Sequence, residues 1–238
     1  MRSLLWKEWH EQRWKLAFGS LILAAFAFIG LRARVIADEQ LVQWVCFLAI
    51  ALLPVLASTG LIPAERDDGT LETLLSLPVN ASRIFAVKTA IGVLLAAGPL
   101  LVAGAVSLAV AGGREISAAD IATLYLRTTA TTLALFFLMF TLTVRLPNET
   151  RASLITLALL IMSLLVTLAI VDSNNDYQRA HSPLWLISPF VFLVSRGTET
   201  PGAGLRLGAA LVQAAVALLL WLWAARQFPR PTVVEGNL

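Results

Sequence analysis

The sequence predicts an all-α integral membrane protein with six transmembrane helices. An N-terminal amphipathic surface helix, a short cytoplasmic helix between spans two and three, and a non-spanning outer segment before the last span complete the layout. Three observations carry this. The 238 residues are 58% hydrophobic and only 14% charged, against about 45–50% and 25% in an average soluble domain. The apolar residues fall in long runs. The charges fall in small groups between those runs.

A helical span needs roughly 17–25 mainly apolar residues. Six runs meet or approach that length: 16–31, 41–64, 89–111, 121–144, 152–171 and 207–225. The second contains Pro54, and the third contains Gly98-Pro99, so both are candidate kinks. A seventh run, Pro183–Ser195, carries two prolines and is too short to span. It reads as a re-entrant or interfacial segment of the outer loop 172–206, with Trp185, Phe190 and Phe192 as anchors or as a cap on a path.

The first run is read as a retained span rather than a cleaved signal. Glu8 and Glu11 stand in the segment before it, and no clean small-x-small cleavage site follows. In residues 1–15, Leu5 and Trp9 share a face with Leu16, with Trp6 on its flank, and Lys7, Glu11 and Lys15 lie opposite. Trp at the headgroups and Lys at anionic lipid fit a helix lying on the cytoplasmic surface. Trp14 falls off that face, and an N-terminal extension of the first span is the alternative. His10 lies on the polar side.

Six spans place both termini on one side. With the termini inside, the cytoplasm holds Arg2, Lys7, Arg13, Lys15, Arg66, Arg83, Lys88, Arg145, Arg151, Arg226 and Arg230. The outside holds Arg32, Arg34, Arg114, Arg127, Arg179, Arg196 and Arg206. This excess of inside cations orients the chain with cytoplasmic termini in a plasma or inner membrane.

The inner loop 65–88 is the most patterned stretch. It opens Glu65-Arg66-Asp67-Asp68-Gly69-Thr70-Leu71-Glu72-Thr73-Leu74-Leu75-Ser76-Leu77-Pro78. Thr70 can cap a short helix, Leu71, Leu74 and Leu75 form one stripe, and Pro78 ends it. Such a helix suits a groove on a soluble partner; a surface helix packed on the chain's own spans is the bland alternative.

This loop resembles the first cytoplasmic loop of the type-2 ABC exporter permeases. The matching residues are Glu65, Arg66, Gly69, Thr70, Leu71, Glu72, Leu74, Leu75, Ser76, Pro78 and Lys88. The opening Trp6-Lys7-Glu8, the Ile187-Ser188-Pro189 before the last span and the six-span layout are also similar. Asp67, Asp68 and Val87 depart from the usual pattern.

The resemblance implies a permease subunit paired with a second copy or a homologous permease. Each would dock a separate ATP-binding subunit that holds ATP and Mg. The loop becomes a coupling helix in which Leu71, Leu74 and Leu75 insert, while Glu65, Arg66 and Glu72 pair with partner charges.

The chain has no phosphate loop, no zinc motif and no nucleophile elbow. No enzyme activity, resident cofactor or metal site is therefore expected in it. Its net charge of +3 is dispersed, unlike the basic face of a nucleic-acid binder. Acidic residues are almost absent from span interiors, which disfavours ion-coupled transport. Cys46 reads as a core thiol.

Hydroxyl and small residues in spans three to five read as helix glue. The stripe Ser153, Thr156, Ser163 and Thr167 is the candidate border of a substrate path. A noncatalytic scaffold and, less readily, a lipid-modifying enzyme are the competing functions. Charge reversal at Glu72 is expected to lower transport and ATPase stimulation without affecting membrane insertion. An unchanged transport rate would count against a coupling role for the loop.

Overall fold

The computed structural model describes residues 2–34, 37–76, 80–111, 117–144, 146, 148–171 and 203–228. The described residues are helical and contain no strand. Eight helices follow in chain order: α1 Arg2–Ala33, α2 Asp38–Thr59, α3 Pro63–Asp67, α4 Thr70–Ser76, α5 Ala81–Ala111, α6 Ala118–Thr143, α7 Glu149–Val171 and α8 Ala203–Gln227. Among the described residues, five helical stretches are long and apolar enough to cross a membrane: Leu4–Ala33, Gln40–Arg66, Ala81–Ala111, Ala118–Thr143 and Glu149–Val166. In α8 the apolar stretch found among the described residues is Ala214–Gln227. The outer segment 183–195 lies outside the described residues.

The separate surface helix expected over residues 1–15 is replaced by one uninterrupted helix of 32 residues, α1. No proline or glycine precedes Gly19 to break it. At 1.5 Å per residue it is about 48 Å long, well beyond the roughly 30 Å of bilayer hydrocarbon. The third span is likewise longer than its hydropathy implied. Asn80 accepts from the Ser82 amide at 3.0 Å and from its hydroxyl at 2.9 Å, capping α5 and starting it at Ala81. Lys88 therefore sits two turns inside α5 rather than at the end of a loop. Ser117 caps α6 by accepting from the Asp120 amide, and Asn148 accepts from the Arg151 amide at the start of α7.

Side-chain contacts fix the helix directions. Glu8 meets Lys88 and Gly19 meets Pro99, so α1 and α5 run parallel. Gly30 meets Leu41 and Gln12 meets Gly60, so α2 is antiparallel to α1. Gly92 faces Phe136 and Gly104 faces Tyr125, so α6 opposes α5. Trp221 meets Thr89 and Phe228 meets Phe85, so α8 also opposes α5. The start of α1, the α3–α4 segment, the start of α5, the ends of α6 and α8, and the start of α7 consequently share one end of the bundle.

The core divides accordingly. At the shared end, Phe85 lies 5.6 Å from Phe140, 5.9 Å from Trp221 and 5.4 Å from Phe228, ring centre to ring centre. Leu61, Ile62, Ile84 and Phe136 pack into the same cluster. At the far end, Leu31, Val42, Val45 and Leu100 form a second cluster. There the Tyr125 and Ser107 hydroxyls share a hydrogen bond of 2.8 Å. The α6 threonines mostly satisfy themselves: Thr128, Thr129, Thr131 and Thr132 each donate to the carbonyl four residues back. That leaves few hydroxyls for bonding between helices.

Small residues set the close approaches, as they do where lipid offers no hydrophobic drive between helices. A Cβ on Gly92 would lie 2.3 Å from the Phe136 ring and 2.8 Å from Leu61, whereas one on Gly104 would lie 3.2 Å from Tyr125. Gly92→Ala should therefore destabilise by about 1–3 kcal/mol through overpacking, and Gly104→Ala by less. Thermal unfolding of the detergent-solubilised protein checks the order of the two.

Candidate functional site

The patterned loop becomes two short helices at the shared end of the bundle. After α2 ends, Gly60 to Ile62 turn the chain and Pro63 starts α3, at a position where its missing N–H costs nothing. Gly69 then adopts φ +69°, a left-handed conformation that suits glycine. The Thr70 hydroxyl does not cap α4 but donates back to the Glu65 carbonyl at 3.2 Å. This bond holds the reversal between α3 and α4.

The leucine stripe of α4 turns inward. Leu71 and Leu74 are 4% and 6% exposed and pack into the aromatic cluster, with half-buried Leu75 beside them. In the chain by itself these leucines are therefore covered rather than presented. The core offers them Phe85 and Phe140, and burying a leucine is worth about 1.5–3 kcal/mol. Among the described residues, Asp68, Gly69, Thr70, Thr73 and Ser76 face outward. The side chains of Glu72 and Thr167, and residue Pro78, lie outside the described residues.

Glu65 and Arg66 also have partners within the chain. Arg66 donates to the Leu146 carbonyl at 2.8 Å, tying α3 to the α6–α7 turn. Glu65 belongs to a buried ion cluster. The fully buried Lys88 ammonium donates to Glu8 Oε1 at 2.8 Å and to the Leu61 carbonyl at 3.0 Å. It lies 2.7 Å from Glu65 Oε2. That last oxygen is outside hydrogen-bond angles, so the contact is ionic. Lys7 donates to the other Glu65 oxygen at 3.1 Å and pairs with Glu11 at 3.5 Å. Gln12 reaches across to the Gly60 carbonyl at 3.1 Å.

Carboxylate oxygens of Glu8, Glu11 and Glu65 all come within 4.8 Å of one another. The ammoniums of Lys7 and Lys88 supply the counter-charge. Charge can be buried here because the Lys88 ammonium faces two carboxylates, Glu8 and Glu65, while Lys7 and Glu11 stand at the partly exposed rim.

A family model described as "ABC-2 family transporter protein" matches residues 5–225. The chain belongs to that family. No curated protein sequence matches it. As a member of the ABC-2 family it is a multi-pass membrane protein and an ABC-type permease, a transport component.

Seen from this permease's geometry, the loop motif and the Trp6-Lys7-Glu8 opening are one structure, although 57 positions separate Glu8 from Glu65. Sequence reasoning marked both stretches but did not join them. The usable signal was Lys88, a cation followed at once by an apolar run. The candidate path residues are placed on α7: Thr156 is buried and donates to the Ser153 carbonyl at 3.0 Å, and Ser163 donates to the Leu160 carbonyl at 2.8 Å. A separate apolar cleft of about 630 Å³ lies between α5, α6 and α8. Thr89, Ala130, Phe137, Ala217 and Trp221 line it, and the α7 stripe does not.

Removing Lys88 would strand two buried carboxylates. Lys88→Met should cost about 3–5 kcal/mol. Adding Glu8→Gln should recover part of that loss, because Lys7 still pairs with Glu65. Unfolding midpoints of the two variants in detergent test this, and a wild-type midpoint for Lys88→Met would contradict the buried pair.

Proposed function

We propose that this chain is the transmembrane subunit of an ATP-driven exporter, moving substrate across the plasma or inner membrane. ATP and Mg bind to a separate ATP-binding subunit that docks at the shared end of the bundle. The chain crosses the membrane six times with both termini cytoplasmic, and it works as a pair with a second copy or a homologous permease. The observation that carries the reading is the α3–α4 segment. It is the one stretch with the family's loop motif, it sits at the end that α1, α5 and the α6–α7 turn share, and polar contacts tie it to all three.

The coupling residues divide into two roles. Asp68, Gly69, Thr70 and Thr73 form the surface a partner touches, and Glu72 is assigned to partner contact on the family motif alone. Glu65, Arg66, Leu71, Leu74 and Leu75 hold that surface in place from within, and Pro78 stays in the coupling set on the family motif alone. A push on the outer face then reaches α5 through Leu71, Leu74 and Phe85, and the α6–α7 turn through Arg66. On the substrate side, Ser153, Thr156, Ser163 and Thr167 on α7 remain the proposed border of the path.

Co-purification of the permease with an ATP-binding subunit, followed by ATP hydrolysis, tests the reading. Thr73→Arg on the outer face should reduce the amount of ATPase recovered by about tenfold, the scale of one lost interface contact of 1–2 kcal/mol. The same substitution should leave the unfolding midpoint near wild type. Failure of any ATPase subunit to associate with the wild-type chain would overturn the proposal.

A further inference from the structure

The Lys88 cluster joins more than the loop to α5. One of its two carboxylates, Glu8, comes from α1, and three further contacts bind α1 to the same segment. Lys7 donates to Glu65, Gln12 donates to the Gly60 carbonyl, and Leu4 packs on the cluster that holds Leu71 and Leu74. Glu8 and Lys88 are 1% and 0% exposed, so water does not compete for their pairing. α1 then continues without interruption to Ala33 at the far end. It lies parallel to α5, with Leu16 over Gly98 and Pro99 over Gly19.

We propose that α1 is part of the transmission unit: Lys88 clamps Glu8 and Glu65 together, so that the α3–α4 segment, α1 and the start of α5 move as one rigid body. This rests on the exporter reading above and adds to it which helices the loop drives. If the loop moved alone, Lys88 would have to leave one of its two carboxylates buried and uncompensated, at a cost of several kcal/mol. Moving the three elements together breaks none of these contacts. A displacement at Thr73 is then delivered to Ala33 by a stiff rod rather than by a chain of side-chain repackings. Glu8 acts here as a positioning residue, touching neither nucleotide nor substrate.

The test uses the whole permease reconstituted in liposomes with its ATP-binding subunit. Spin labels at the exposed positions Ser76 on α4 and Arg13 on α1 report the distance between loop and rod. The expected result is one distance, unchanged between the nucleotide-free state and the state trapped with ATP and vanadate. In Glu8→Gln the same distance should shift on trapping, and the substrate moved per ATP hydrolysed should fall about tenfold, within the usual range of coupling between sites.

A wild-type distance that changes on trapping would overturn the rigid-body proposal. So would a Glu8→Gln variant with a lowered unfolding midpoint but a wild-type transport-to-hydrolysis ratio, since that outcome assigns Glu8 a structural role only. Absence of any ATPase on the wild-type permease is a different failure, which removes the exporter reading and this inference together.

Discussion

The buried ammonium of Lys88 constrains the whole loop end of the molecule. A cation this far from water must have acceptors on several sides, and it draws them from separate parts of the chain: Glu8 from α1, Glu65 from α3 and a carbonyl from the turn after α2. Once those groups are committed, the relative positions of α1, α3 and α5 follow. Gly60 must leave room for the Lys15 side chain, whose Nζ would lie 2.3 Å from an added Cβ. α1 must also extend straight through residues 8–12, because Glu8 and Gln12 are needed one turn apart on the same face.

Beside this polar joint lies an apolar one. Leu71 and Leu74 anchor α4 on Phe85 and its aromatic neighbours, which places α4 flat against the bundle rather than projecting from it. The two joints have different physics. The leucines hold α4 by burial, which is non-directional and fixes distance more than orientation. The ion cluster tolerates little displacement, because its bonds are directional and its environment excludes water. Motion of the loop is therefore permitted along directions that keep the charges together.

Hydropathy made the helix-rich membrane architecture legible, because long apolar runs leave little choice of structure where backbone groups find no water. The ends of those runs were less legible. α5 begins at Ala81, eight residues before its apolar run, because Asn80 caps it while Ser82, Arg83 and Lys88 lower the local hydropathy. α1 absorbs the amphipathic stretch for a similar reason: Glu8 and Gln12 look solvent-facing in a sequence, yet the partner charge arrives from residue 88. The loop motif was legible as a pattern, but the direction in which its leucines face was not. Periodicity defines a stripe and leaves open whether the stripe meets the chain's own core or another protein.

The parallel pairing of α1 with α5 also bears on how the chain is made. Synthesis runs from the N-terminus, so α1 leaves the ribosome long before residue 88 exists. Until α5 arrives, Glu8 has no Lys88, and its carboxylate must stay hydrated. The length of α1 meets that need, because the helix is longer than the hydrocarbon layer and its first turns can wait in the aqueous headgroup zone. Closing the cluster is therefore a late event in biogenesis. A chain that misinserts before α5 leaves Glu8 without the ammonium that it meets in the folded bundle.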